Sequence, residues 1–387
     1  MIRASHLSPA LLPFAAALAC TASDDVGTES MSSSSSSSTT DATTSTSTGT
    51  TSAATSTTGT STTGSTTAGE TETAGTTMTT GVAPECEAAD GKPDPACDAA
   101  TPFCLAGECV NCAAAGADAC GLLDADKPVC TDAGACVQCS ASDASQCAGT
   151  TPICDDAAGA CVPCTEHAQC GEVACNLLDG SCFAPEYVLH VDQVNAKDCN
   201  AATGTKDDPY CTVAAAFAKI AEPDNLPAAW TVHIYEGTYL EAEHKTPNGS
   251  TVALLGHGPV TLRSSTKLAA GLNTGNGSTL FVHDLTFALS SGTGLKCSAG
   301  TLFADDIQAR NNQINGVETF DCTTHIRRTV IAQNVDGGLA SYGGVTHVAS
   351  SYVTANGTAL SEFGGVRSAQ NNDLQLVYTS VINNDGD

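Results

Sequence analysis

Cations are scarce in this chain. Lysine and arginine together number 14 in 387 residues, against 42 aspartates and glutamates, and the formal charge is −28. A surface of that sign repels phosphate backbones and anionic headgroups, so nucleic acid and membrane faces are poor partners. The acid suits divalent cations or simple solubility. A glycine-rich phosphate loop, a nucleophile elbow and an HExxH motif are also missing, which removes three common frameworks for catalysis. The N-terminal apolar run, 7–19, is too short to stay in a bilayer as a spanning helix.

What is present falls into zones of sharply different composition. Arg3 and His6 precede the apolar run, which ends Ala17-Leu18-Ala19-Cys20. This resembles a bacterial lipoprotein signal peptide: residues 1–19 would be removed and Cys20 lipidated, with plain secretion as the alternative. In that family Thr21, in place of an aspartate, favours the outer membrane. Lipid on Cys20 would be the only membrane attachment, and it leaves twenty of the 21 cysteines to pair. Residues 20–85 are the anchor cysteine and a Ser/Thr-rich linker with too few apolar side chains to repay ordering. It is expected to be a disordered stalk of ~40–45 Å reach.

Residues 86–184 hold sixteen cysteines in four groups of four: Cys86, Cys97, Cys104, Cys109; Cys112, Cys120, Cys130, Cys136; Cys139, Cys147, Cys154, Cys161; Cys164, Cys170, Cys175, Cys182. Units of about 25 residues with almost no large apolar side chain need cross-links to fold. Zinc held by CxxC pairs is the competing explanation, and an exported chain that meets oxidants argues against it. Each unit allows three disulfide pairings, and spacing does not choose among them.

Residues 185–387 repeat. LFVHDLTF (280–287), LFADDIQA (302–309), HIRRTVIA (325–332), HVASSYVT (347–354) and LVYTSVIN (376–383) align, placing Phe281, Phe303, Ile326, Val348 and Val377 in one column. Leu285, Ile307, Val330, Tyr352 and Val381 form another, at steps of 22, 23, 22 and 29. Asn311, Asn334 and Asn356 follow, and Gly294, Gly316 and Gly338 recur at 22. Short strands, a polar bend and a glycine turn at this period predict a solenoid of β-coils stacked at roughly 4.8 Å. Stacked asparagine amides would donate to one rung and accept from the other.

Two motifs open this region: GT…PY.TV..A (Gly204, Thr205, Pro209, Tyr210, Thr212, Val213, Ala216) and V.I..GTY (Val232, Ile234, Gly237, Thr238, Tyr239). They resemble the start of pectate-lyase-like right-handed parallel β-helices. The expected fold is therefore mainly β: a right-handed parallel β-helix preceded by small disulfide-rich modules and a disordered stalk. Val213, Ala216, Phe217 and Ile220 share one helical face that ends before Pro223, a helix suited to cover the first coil. Cys199 with Cys211, and Cys297 with Cys322, are the expected remaining disulfides. The chain ends within the turn of another coil, 383–387, as a fragment of a longer β-helix would.

The resemblance implies two chemistries: lyases with Asp-bound calcium and an Arg base, or hydrolases with paired Asp. The aligned coils put His283, Asp305 and Arg328 in one column and Asp284 and Asp306 in the next, with Arg327 and His325 nearby. Asp305, Asp306, Arg327, Arg328 and His283 are the catalytic candidates, and Asp284, Asp305 and Asp306 the candidates for Ca2+. A solvated bend with surface ion pairs is the plainer account of the same residues. The Gly256-His257-Gly258 string matches a polygalacturonase motif but precedes the aspartates instead of following them. Trp230, Tyr342 and Phe363 are the aromatic candidates for stacking on sugar rings. Together these features favour a surface-tethered protein that binds polysaccharide or a surface protein. A polysaccharide lyase or glycoside hydrolase is one alternative, and a spacer or adhesin stalk another.

Overall fold

A computed structural model describes residues 85–226 and 228–386. The expected signal peptide, Cys20 and the linker to residue 84 lie outside the described residues. Each four-cysteine unit joins its first cysteine to its third and its second to its fourth. The bonds are Cys86–Cys104 with Cys97–Cys109, Cys112–Cys130 with Cys120–Cys136, Cys139–Cys154 with Cys147–Cys161, and Cys164–Cys175 with Cys170–Cys182. One of the three possible connectivities thus recurs in every unit. The reason is a short antiparallel hairpin or bridge that sets the third and fourth cysteines opposite each other: Cys104 facing Cys109, Cys130 facing Cys136, Cys154 facing Cys161, Cys175 facing Cys182. The preceding segment supplies both of their partners. Hairpins this short do not stand alone, and the bonds supply what a core would.

From Val188 the chain winds into a parallel β-solenoid of about six turns. One face takes parallel strands from Val188–Val191, Ala229–Glu241, Thr251–Ser264, Thr279–His283, Thr301–Asp305, Asn315–Arg327, Gly337–Ala349 and Asp373–Val377. Its register sets Thr251, Thr279, Thr301 and Thr323 over one another. Inside, Val232, Leu254, Val282, Ala304, Ile326 and Val348 form a continuous buried column. Tyr239, Leu262, Phe287, Ala309, Ile331 and Val353 form a second on the next face. Cys297–Cys322 staples neighbouring rungs from within, and Cys199–Cys211 clips the segment before the cap, as expected from their spacing.

The register differs from the expected alignment by one residue beyond Phe303. The column that forms is Phe281–Phe303–His325–His347–Gln375, while Ile326 sits inside between Ala304 and Val348. Val330 and Tyr352 stand in the column of Thr286 and Gln308 and are exposed. Side chains alternate with period two along a strand, so matching Ile326 to the phenylalanines exchanges inside for outside. The 22-residue spacing of the glycines governs instead.

Asn312, not Asn311, heads the asparagine ladder. Asn312 Nδ2 donates to Asn334 Oδ1 (2.9 Å), Asn334 to Asn356 (2.8 Å), and Asn356 to Asn384 (2.9 Å). Each amide also donates to a strand carbonyl, and each Oδ1 from Asn334 onward accepts the backbone N–H of the asparagine in the preceding rung. The glycine stack runs beside it: a Cβ on Gly316 would lie 2.4 Å from Ile331 Cγ2 and 2.6 Å from Asn334 Nδ2. Asn311 belongs to a corner at which Leu289, Asn311, Gln333, Ala355 and Asn383 all hold φ between 53 and 58°.

The first coil is closed by the helix Val213–Ile220, with Val213, Ala216, Phe217 and Ile220 buried against the coil. Thr212 Oγ1 accepts from Ala215 N, and the Glu241 carboxylate accepts from Val213 N and Ala214 N at 2.8 Å each. Those contacts satisfy N–H groups that a helix start leaves free. Trp230 is buried in this cap and donates to Asn225 O (3.0 Å), so it offers no face to a sugar.

Asn334→Ala should cost about 3–5 kcal/mol, because it leaves buried donors and acceptors unpaired on two rungs. Asn384→Ala, whose side chain bonds to one neighbouring asparagine among the described residues, should cost about half of that. Denaturant unfolding with disulfides intact measures both, and equal costs would show that the ladder carries no cumulative load. Replacing Leu289, exposed at φ 58°, with Asn should raise stability by about 0.5–1 kcal/mol. Its midpoint in the same assay is the check.

Candidate functional site

Two outward columns define the face that matters. One is Ala253–Phe281–Phe303–His325–His347–Gln375, and the other is Leu255–His283–Asp305–Arg327–Ala349–Val377. The fourth disulfide module docks on their first rungs. Val173, Ala174 and Phe183 pack on Ala253, Leu255 and Phe281. Ala174 N donates to Thr231 Oγ1 (2.9 Å), and His233 Nε2 donates to Glu172 O (2.9 Å). Where the module ends, a cleft of about 340 Å³ opens. Its floor is Phe303, His325 and His347; Cys164, Thr165 and Leu177 form one wall, and Asp305 and Arg327 line it as well.

The floor is a ring stack. Phe281–Phe303, Phe303–His325 and His325–His347 have centroids 5.0, 4.7 and 5.2 Å apart and interplanar angles of 16, 6 and 14°. Ring faces are therefore taken by neighbouring rungs, and edges look into the cleft. At an imidazole edge the exposed atoms are nitrogens, one donor and one acceptor in the neutral ring. Burial, then the adjacent His347, lowers the His325 pKa and favours that neutral form. A second stack, Phe320 on Tyr342, is closed at its ends by Lys296 (4.8 Å) and Arg367 (5.6 Å), so Tyr342 likewise presents no open face. Arg367 also lies 5.8 Å from the ring centroid of half-buried Phe363.

The true register changes the acid–base patch. His283, Asp305 and Arg327 share a column. Asp284, Asp306 and Arg328 occupy the corner beyond it, at φ of 53, 53 and 50°. Asp305 is buried, with Arg327 Nε 3.0 Å from Oδ1, Arg328 Nη2 2.5 Å from Oδ2 and His283 Nδ1 3.4 Å away. Burial alone would raise its pKa, but the close His283 and Arg327 side chains and both guanidinium charges hold it below the ordinary value. The adjacent Asp305 carboxylate in turn raises His283. The arginines are also engaged from the module: Arg327 Nη2 donates to Thr165 O (3.1 Å), and Arg328 Nη1 to Glu166 Oε1 (3.0 Å).

Asp305 therefore serves as the buried counter-ion of a docking seam. Ion pairing to two guanidiniums disfavours calcium coordination and proton uptake at this carboxylate, while its Oδ1 makes no hydrogen bond. Asp284, Asp305 and Asp306 do not converge. Among the described residues, the groups of three or more metal-ligand atoms within 4.8 Å are built on disulfide cysteines, one of them with Asp94. His257 of the Gly-His-Gly string stacks beside His233 and Tyr235 instead of the aspartates.

Sequence reasoning missed Phe303, His325 and His347 as a set, and Thr165 and Glu166 as partners of the arginines. A strict 22-residue step from Phe281 reaches Phe303, His325 and His347 in turn, so the shelf was legible once the glycines set the register. Nothing in the spacing announces the module's contacts, which join residues 162 positions apart.

His167 is buried in the same seam, edge-on to Phe281 at 6.1 Å, and its Nδ1 accepts the Cys175 N–H (3.1 Å). Burial, then the His283 charge, pushes its pKa down to about 4 from 6.5. A depressed histidine stays neutral when folded while the unfolded chain takes up a proton. Its contribution is complete above 6.5 and is lost as pH falls toward 4, by up to about 3 kcal/mol. Exchange protection of the Cys175 amide should fall over that window. The pH slope of stability should flatten in His167→Gln; an unchanged slope would remove His167 from the account.

Residues 72–188, which include the disulfide modules, match a family of unknown function (DUF8331). No curated protein and no solved structure matches the chain.

Proposed function

We propose that this is an exported protein, lipidated at Cys20 and tethered at the outer surface through its Ser/Thr-rich linker, whose β-helix binds an extended polysaccharide. Ten disulfides within the described residues suit an oxidising, extracellular compartment. The observation that carries the binding proposal is the row of ring edges along the cleft floor. Successive rungs set a ring edge at a fixed interval, Phe303 and then the imidazoles of His325 and His347, which matches a ligand that itself repeats. With the faces occupied, recognition rests on imidazole nitrogens meeting hydroxyls, not on stacking. A purely structural role is the second possibility, favoured by the rigid docking of the fourth module.

The test uses the full disulfide-bonded chain with a panel of plant, algal and bacterial polysaccharides, with and without calcium, reading retained protein and product ends from the same tubes. Retention without cleavage is expected, weakened at least tenfold in His325→Ala/His347→Ala, a loss of about 1.4 kcal/mol or more. Calcium-dependent cleavage would instead make the chain an enzyme. Absence of retention on every polymer would leave the structural role.

A further inference from the structure

A second cluster of imidazoles lies outside the cleft, on the opening rungs. His190 stacks on His233 at 4.9 Å, and His233 and Tyr235 both lie against His257, at 4.8 and 5.1 Å. The hydrogen bonds fix the tautomer of the central ring. His233 Nε2 faces the carbonyl of Glu172, which can only accept, so Nε2 carries the proton and Nδ1 holds a lone pair. That lone pair points at His257 Nε2, 2.6 Å away. His233 is almost fully buried, whereas His257 is exposed at a register shift before Val260 and is followed by Gly258 at φ 80°.

We propose that His233 Nδ1 and His257 Nε2 form a binding site for a nitrogen-preferring divalent cation, Cu(II) above Ni(II) and Zn(II). An imidazole whose other N–H is anchored on a backbone carbonyl is the usual outer-shell arrangement of a metal-ligating histidine. Here the chain builds it on a buried, immobile ring. Bonds of about 2.0–2.1 Å to one ion place two such nitrogens roughly 3 Å apart. Because the ion would take the place His257 Nε2 now holds on that lone-pair axis, His257 must swing aside by roughly 1.5–2 Å, and its exposed corner permits that. In the ion-free state His257 Nε2–H donates to His233 Nδ1. On binding, that proton moves to His257 Nδ1, so both rings stay neutral and no proton need be released. The coordination positions left over face an opening lined by Asp192, Tyr235 and Glu236. A chain of net charge −28 also draws cations toward it. The selectivity follows from imidazole ligation: Ca2+, which wants six to eight oxygens, has no place here.

The test is calorimetric titration of the full disulfide-bonded chain with Cu(II), Ni(II), Zn(II) and Ca2+ separately, with electron paramagnetic resonance of the Cu(II) form. The expected result is one specific Cu(II), nitrogen hyperfine structure from imidazole, and no calcium bound. His257→Ala removes an exposed side chain and should weaken Cu(II) at least tenfold, while His347→Ala, on the cleft floor, should leave it unchanged. Equal Cu(II) affinity in wild type and His257→Ala overturns the site. So does a dissociation constant weaker than about 100 µM for every ion, which is surface-histidine behaviour.

Discussion

Register is the constraint on which the rest of this molecule depends. Asn312, Asn334, Asn356 and Asn384 bond one to the next through their side chains, with each amide also tied to a strand carbonyl. Such a ladder tolerates no slip. A one-residue shift of a rung would break two side-chain bonds and send every inward residue of that rung outward. The glycine stack enforces the same spacing sterically, since a Cβ on Gly294, Gly316 or Gly338 meets the amide of the ladder and the carbonyl of the next glycine. Polar and steric terms therefore select one register, and both outward columns follow from it.

That is also why the sequence was partly legible. The period, the cap helix, the glycines and the two lone disulfides are local or evenly spaced, and pattern alone exposes them. Alignment by hydrophobicity failed at Ile326, because an outward Phe281 and Phe303 invite an apolar successor while the structure provides His325. The outward column is apolar only where the module covers it. Phe281 is buried beneath Phe183 and Val173, and the column turns to imidazole where cover ends. Hydrophobicity here records a tertiary contact with residues about a hundred positions away, which no periodicity in the solenoid can encode.

The acid–base patch illustrates the same effect in charge. From sequence, Asp305 among Arg327, Arg328 and His283 has the composition of a catalytic site. In three dimensions the arginines face two ways, toward Asp305 on the coil and toward Thr165 and Glu166 on the module. A buried carboxylate needs such partners to remain ionised, and a half-exposed guanidinium with donors to spare is suited to bridging two surfaces. Composition cannot distinguish a patch held ready for substrate from one spent on docking. Burial and the second attachment of each guanidinium to the module can, and for Asp305 they favour the second.

Docking also makes the modules more than a stalk. The fourth is bound to the coil by an apolar contact, two arginines and the His233 bond to Glu172 O. It contributes the wall of the cleft and the carbonyl that sets the His233 tautomer. Neither site belongs to the β-helix alone. A solenoid offers one repeating surface, and repetition by itself gives no address along it. By covering the early rungs and stopping at Phe303, the module marks where on that surface a ligand has room to lie. Its disulfides, which hold a unit too small for a core, thereby hold the edge of the cleft in place.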